Sequence, residues 1–155
     1  MSQFLRLLAR MTSAATLGDG AGVAACFTED GTYHDVFYGS FRGREAICDL
    51  IEGHMHRDGA DFRWDIHDPV SDDGGGYARY LFSYRSLMPE SAGQRAVFEG
   101  VAIVRLSGDL ISEYSEVSNA ATGLSMLGME DARLAKFIAK QARALLDRGE
   151  TAEHL

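Results

Sequence analysis

The sequence predicts an α+β domain in which helices come first and a run of consecutive hairpin strands follows. Three observations carry this expectation. Apolar residues recur at helical spacing before Gly59, alternate with polar ones after it, and return to helical spacing near the end of the chain. A doubly wound parallel sheet would interleave strand and helix throughout, and this chain does not.

Phe4, Leu7, Leu8, Met11 and Ala15 share one face, which predicts an opening helix of about four turns. GDG at 18–20 ends it, and Ala21 to Phe27 reads as a second short helix that stops before Asp30 and Gly31. Thr32 to Phe37 is the first expected strand, with YGSFRG as its exit turn. A third helix runs from Arg44 to about His56, with Ile47, Leu50, Ile51 and Met55 on one side. Phe62 to Asp68 is a strand, and the Pro69 that follows marks an edge or a bulge, because proline cannot donate to a ladder. SDDGGG is a turn by composition. Tyr77 to Leu87 and Gln94 to Leu106 are long strands joined by MPESAG, and SGD links the second to Leu110 through Ser118. Leu134, Phe137, Ile138, Ala142, Leu145 and Leu146 form the stripe of a terminal helix at about 130–148. With 155 residues and no repeat or linker, one domain over 1–155 is expected, its core at about 5–119.

Composition narrows the function classes. A net charge of −8 with singly scattered arginines argues against nucleic acid and against anionic membrane surfaces, which both need clustered cations. Arg6 and Arg10 interrupt the apolar N-terminus, so it reads as an amphipathic helix and not a signal peptide. No stretch is long enough to span a bilayer, and a cytoplasmic location is the default expectation. Cys26 and Cys48 lie in apolar settings without CxxC spacing; they read as reduced thiols, with a disulfide left open. His54 and His56 are two residues apart on a helix, on nearly opposite sides, so they do not chelate one metal and read as surface residues. No metal and no cofactor is expected.

One residue stands out. Asp35 sits in a strand-forming run, where aspartate is disfavoured. Two roles are open to it: a carboxylate facing a pocket, or a strand-end cap on a nearby backbone amide.

The element order, the segment GDGAGVAACFTEDGTYHDV, the GREAI helix opening and the YSEVSN strand resemble the NTF2-like superfamily, and within it the ketosteroid isomerase and SnoaL-like proteins. That resemblance implies a cone: a curved, mostly antiparallel sheet wrapped around the N-terminal helices, enclosing an apolar pocket, here with an extra C-terminal helix. Laid on ketosteroid isomerase without a gap from Ala15 to Val36, the chain places the family's general base on Asp35. The family's hydroxyl and carboxyl partners fall instead on Met11, Phe27, Ile51 and Ala102, which speaks against steroid isomerisation by the family's route, since oxyanion donors contribute a few kcal/mol each.

The same alignment implies a lining. Tyr33 and Phe37 share the face of Asp35; Tyr80, Phe82 and Tyr84 turn inward on the next long strand, then Phe98, Gly100 and Ala102, then Tyr114 and Glu116, with Met11 below. Gly100 and Ala102 are expected to leave space in the cone. Glu116 is expected near the pocket mouth, solvated or paired. His34 alternates away from Asp35. His67, if inward, would be a second acid–base group; Tyr84 or Tyr114 would hydrogen-bond a developing oxyanion. The implied ligand is a small apolar molecule carrying one or two oxygens.

Two functions stay open: a cofactor-free isomerase, dehydratase or cyclase acting on a carbonyl compound through Asp35, or a non-catalytic binding domain. The terminal helix either closes the cone or packs on a second subunit. The outward residues Val97, Glu99, Val101, Ile103 and Arg105 predict a homodimer through the outer sheet face.

Overall fold

The apolar stripe of the opening helix organises the core. In the computed structural model, which describes residues 1–155, α1 (Gln3–Leu17) buries Phe4, Leu7, Leu8, Met11 and Ala15. Ser2 caps its start by accepting from the Leu5 N–H, and Gly18, at a left-handed φ of 74°, closes its end. The short helix α2 (Gly20–Ala24) follows, capped by Asp19 on the Gly22 N–H. It packs closely on the next helix: a Cβ at position 20 would lie 2.7 Å from the Cys48 carbonyl oxygen. α3 (Arg44–Asp49) continues through a π-helical stretch (Leu50–Met55) into α4 (His56–Asp58). His56, expected at the surface, is half-buried: its Nε2 sits 2.7 Å from the Ala15 carbonyl oxygen, tying α4 to the end of α1.

Against these helices lies a curved six-stranded open sheet. Its strands are β1 (Phe27–Asp35), β2 (Gly39–Arg42), β3 (Gly59–Asp72), β4 (Gly75–Ser86), β5 (Arg95–Ser107) and β6 (Leu110–Ser118). Their order is β2-β1-β6-β5-β4-β3. Only β1 and β6 run parallel; the remaining pairs are antiparallel, as the sequence predicts.

Three elements differ from expectation. YGSFRG is not merely an exit turn; it carries β2, which pairs back on β1 from Asp35↔Gly39 to Thr32↔Arg42. Gly39, at φ 94°, permits the reversal. β1 starts at Phe27 rather than Thr32, because Phe27 pairs with Ile111 of β6 across an irregular stretch. Tertiary pairing thus overrides the poor strand propensity of Glu29, Asp30 and Gly31. The third difference is α5 (Ala120–Met126), a short helix that no sequence pattern announced; it precedes α6 (Asp131–Leu146). Pro69 realises both of its alternatives, since β3 is an edge strand and slips register between His67 and Val70.

Two apolar clusters result. The larger joins α1, α2 and α3 to the inner sheet face and includes Phe27, Tyr33, Ile111 and Tyr114. The smaller unites Ala96 and Phe98 of β5 with Leu124 and Leu127, and Leu134 and Phe137 of α6 rest on it. α6 therefore covers the open end with its first turns, while Ile138, Leu145 and Leu146 farther along stay half-exposed. Cys26 and Cys48 are both free thiols. No helix is long and apolar enough to cross a membrane.

Leu8 is fully buried at the centre of the larger cluster. Leu8→Ala is expected to destabilise the fold by about 2–5 kcal/mol, measured as a lowered urea midpoint with unchanged denaturant slope.

Candidate functional site

Between the two apolar clusters the sheet and helices leave a cavity of about 600 Å³. Strand alternation supplies its walls. Tyr33 and Asp35 enter from β1, Phe62 and Trp64 from β3, Tyr80, Phe82 and Tyr84 from β4, Phe98 from β5 and Glu116 from β6. Tyr38, Met55 and Asp58 line one side, and Leu124, Leu127 and Met129 the other. The aromatic rings support one another: Tyr84 stacks on Phe98 at 6.0 Å between centroids and 9° between planes, and Trp64 meets Phe82 edge-on at 5.0 Å.

Asp35 unites the two roles open to it. Its Oδ2 accepts the backbone N–H groups of Phe37 and Tyr38, both at 2.9 Å, so it caps the β1–β2 reversal. The same carboxylate lines the cavity, and its Oδ1 has no partner within the protein. Burial pushes its pKa up, and the two N–H donors pull it only part of the way back.

Glu116 corrects an expectation. It is half-buried in the cavity wall and is not paired with arginine. The parallel register aligns Tyr33 with Tyr114, and two residues farther along the same face it brings Asp35 and Glu116 side by side. Glu116 Oε2 accepts from the Tyr114 hydroxyl at 3.0 Å, and the Tyr80 hydroxyl lies beside it. Burial, reinforced by the negative charge of Asp35, pushes the pKa of Glu116 up to about 7. Near neutral pH the carboxyl pair therefore carries a proton for part of the time.

Tyr84 lines the cavity, and its hydroxyl makes no hydrogen bond within the protein. Burial raises its pKa, followed by the charges of Asp58 and Asp35. At one side of the hollow the Tyr38 hydroxyl donates to Asp58 at 2.7 Å, and Arg57 bonds the same carboxylate at 2.7 Å.

Tyr33, Asp35, Phe37, Tyr80, Phe82, Tyr84, Phe98 and Glu116 all reach the cavity. Three expected residues do not. Met11 is fully buried within the helix–sheet core. Tyr114 is also fully buried and lies behind Glu116, which it contacts. His67 follows the inward residue Ile66 on β3 and pairs with Arg79, so alternation turns it to the outer face. Nor does Gly100 leave free volume: the Tyr80 hydroxyl occupies it, 2.5 Å from where a Cβ would be. Ala102 is buried core.

Phe62, Trp64, Tyr38 and the α5–α6 residues were missed. Which face Phe62 and Trp64 present depends on a register shift between Ala60 and Arg63, and nothing local in the sequence reports that shift. No three His, Cys, Asp or Glu side chains converge in a metal-ligand arrangement.

Comparison with known proteins agrees with this architecture. The SnoaL-like domain matches residues 8–114. The chain belongs to the SnoaL-like family. Glu116, α5 and α6 of this SnoaL-like protein lie beyond the matched residues. Among solved structures, it is similar to a protein of Catenulispora acidiphila with a ketosteroid isomerase-like fold, in complex with trimethylamine. That match has a TM-score of 0.72 at 16% identity, covering 80% of this chain and 93% of the other. An LEH-like epoxide hydrolase of M. tuberculosis gives 0.62 at 16%, covering 81% and 89%. TsrD of Streptomyces laurentii gives 0.70 at 19%, covering 81% and 95%. At these identities the likeness establishes the fold. A search of curated proteins finds no relative of this chain.

The half-buried Glu116 makes stability depend on pH. Its pKa in the folded state lies above its ordinary 4.5, so its contribution is complete below that value and is lost as pH rises through about 7. Glu116→Gln removes this loss. The variant is expected to gain on the order of 3 kcal/mol relative to wild type between about pH 5 and about pH 8, read from urea unfolding at each pH.

Proposed function

We propose that this SnoaL-like protein takes a small apolar carbonyl compound into the cavity and catalyses a cofactor-free isomerisation, dehydration or cyclisation, with Asp35 as general acid–base. The observation that carries the reading is the free Oδ1 of Asp35, held in a hollow that the unpartnered Tyr84 hydroxyl also lines. A carboxylate raised in pKa and fixed by two backbone N–H groups is a competent base toward a C–H next to a carbonyl. Tyr84 would donate to the oxygen on which charge develops. Met11, Phe27, Ile51 and Ala102, at the positions of the family's polar groups, are all buried hydrocarbon. This supports a reaction other than steroid isomerisation.

Asp35→Asn keeps the shape and removes the base. On a carbonyl-compound library, turnover is expected to fall by at least about 10²-fold, while quenching of Trp64, the sole tryptophan, still reports binding. Binding without turnover in the wild-type protein would instead leave a binding domain.

The proposal extends to assembly. Val97, Val101 and Val117 stand 41%, 39% and 63% exposed on the outer face, and Val101 and Val117 are cross-strand neighbours. A second copy would cover this β-branched row. Light scattering is expected to give a dimer for the wild type and a monomer for Val101→Glu; a monomeric wild type would refute the contact.

A further inference from the structure

The charges around the cavity are unbalanced. Five acidic residues line it, Asp35, Asp58, Glu90, Glu116 and Glu130, against two arginines, Arg57 and Arg133. Both arginines stand at the mouth and are engaged: Arg57 with Asp58 at 2.7 Å, and Arg133 with Glu90 at 3.7 Å. No lysine or histidine lines the cavity. Its inner carboxyls, Asp35 and Glu116, lie close enough for the charge of one to act on the other, and no cationic side chain pairs with either.

The groups packed around this pair are neutral or acidic. Tyr33 approaches from β1, Tyr80 from β4 and Tyr114 from β6; Asp35 is also near Tyr38 and Tyr84, and feels the more distant His54. Two carboxylates held close in a shielded hollow repel each other, and a proton or a bound cation relieves that. The walls are aromatic rings, with Trp64, Phe82, Tyr84 and Phe98 in a chain of contacts. Aromatic faces attract cations through their quadrupoles, most strongly where water is excluded. A net charge of −8 over the chain attracts ligands of positive charge and repels anions.

We propose that the ligand of this cavity is an organic cation: a small, largely apolar molecule bearing a protonated amine or quaternary ammonium. The aromatic walls hold its hydrocarbon, and Asp35 and Glu116 face its charge. This rests on the reading that the cavity is the functional site and names the substrate class. The ammonium group anchors against Glu116, which leaves the free oxygen of Asp35 to the reacting carbon. Entry of the cation displaces the proton on Glu116, so binding tightens as pH rises through neutrality.

Choline and its uncharged isostere 3,3-dimethylbutan-1-ol separate charge from shape, and Trp64 fluorescence reads both. Choline is expected to bind at least about tenfold more tightly than the isostere. Its affinity is expected to rise between about pH 6 and about pH 8. Glu116→Gln should weaken choline, leave the isostere unchanged and flatten the pH dependence. Equal affinity for the two probes, no saturation by choline at millimolar concentration, or a pH dependence that survives Glu116→Gln would overturn the proposal. Choline has no carbonyl, so this outcome is independent of turnover. A failed library screen with intact choline binding would count against the catalytic reading alone.

Discussion

The parallel pairing of β1 with β6 is the constraint on which the site depends. It joins the first strand of the chain to the last, and it is the only parallel ladder in the sheet. Through it Tyr33 aligns with Tyr114, and Asp35 comes to lie beside Glu116. A slip of one residue would turn either carboxyl outward, because strand side chains alternate. The buried Tyr33–Tyr114 ring pair, 4.5 Å between centroids, opposes such a slip.

Around that ladder the molecule divides its apolar residues between two clusters and leaves a hollow between them. The helices α1 to α3 fill one end of the cone solidly, and α5 with the start of α6 roofs the other. Close approach of the roof depends on Gly123, since a Cβ there would overlap the ring of Phe98. Solid packing of the closed end offsets the cost of an unfilled interior and of two carboxyls held out of water. Asp35 serves both ends of this compromise. It is the cap that completes the β1–β2 turn and also the charge that faces the hollow.

The roof lies beyond the residues that match the family. The SnoaL-like match ends at residue 114, yet Leu124, Leu127 and Met129 form cavity wall. Residues beyond the matched segment therefore help to bound the cavity.

Helical periodicity in α1 and alternation in β4, β5 and β6 were legible in the sequence by themselves, because each pattern records which face of one element meets the core. Asp35 was legible too, since a carboxylate in a strand-forming run contradicts local propensity. Other features were decided only by tertiary structure. Phe27 joins a strand because Ile111 offers it a partner, Trp64 faces inward because β3 shifts register before Arg63, and regular alternation from there turns His67 outward. The pKa of Glu116 belongs to the same class. Its pattern marks an inward residue, but burial beside a second carboxylate is a property of distance across the fold, and spacing along the chain does not encode it.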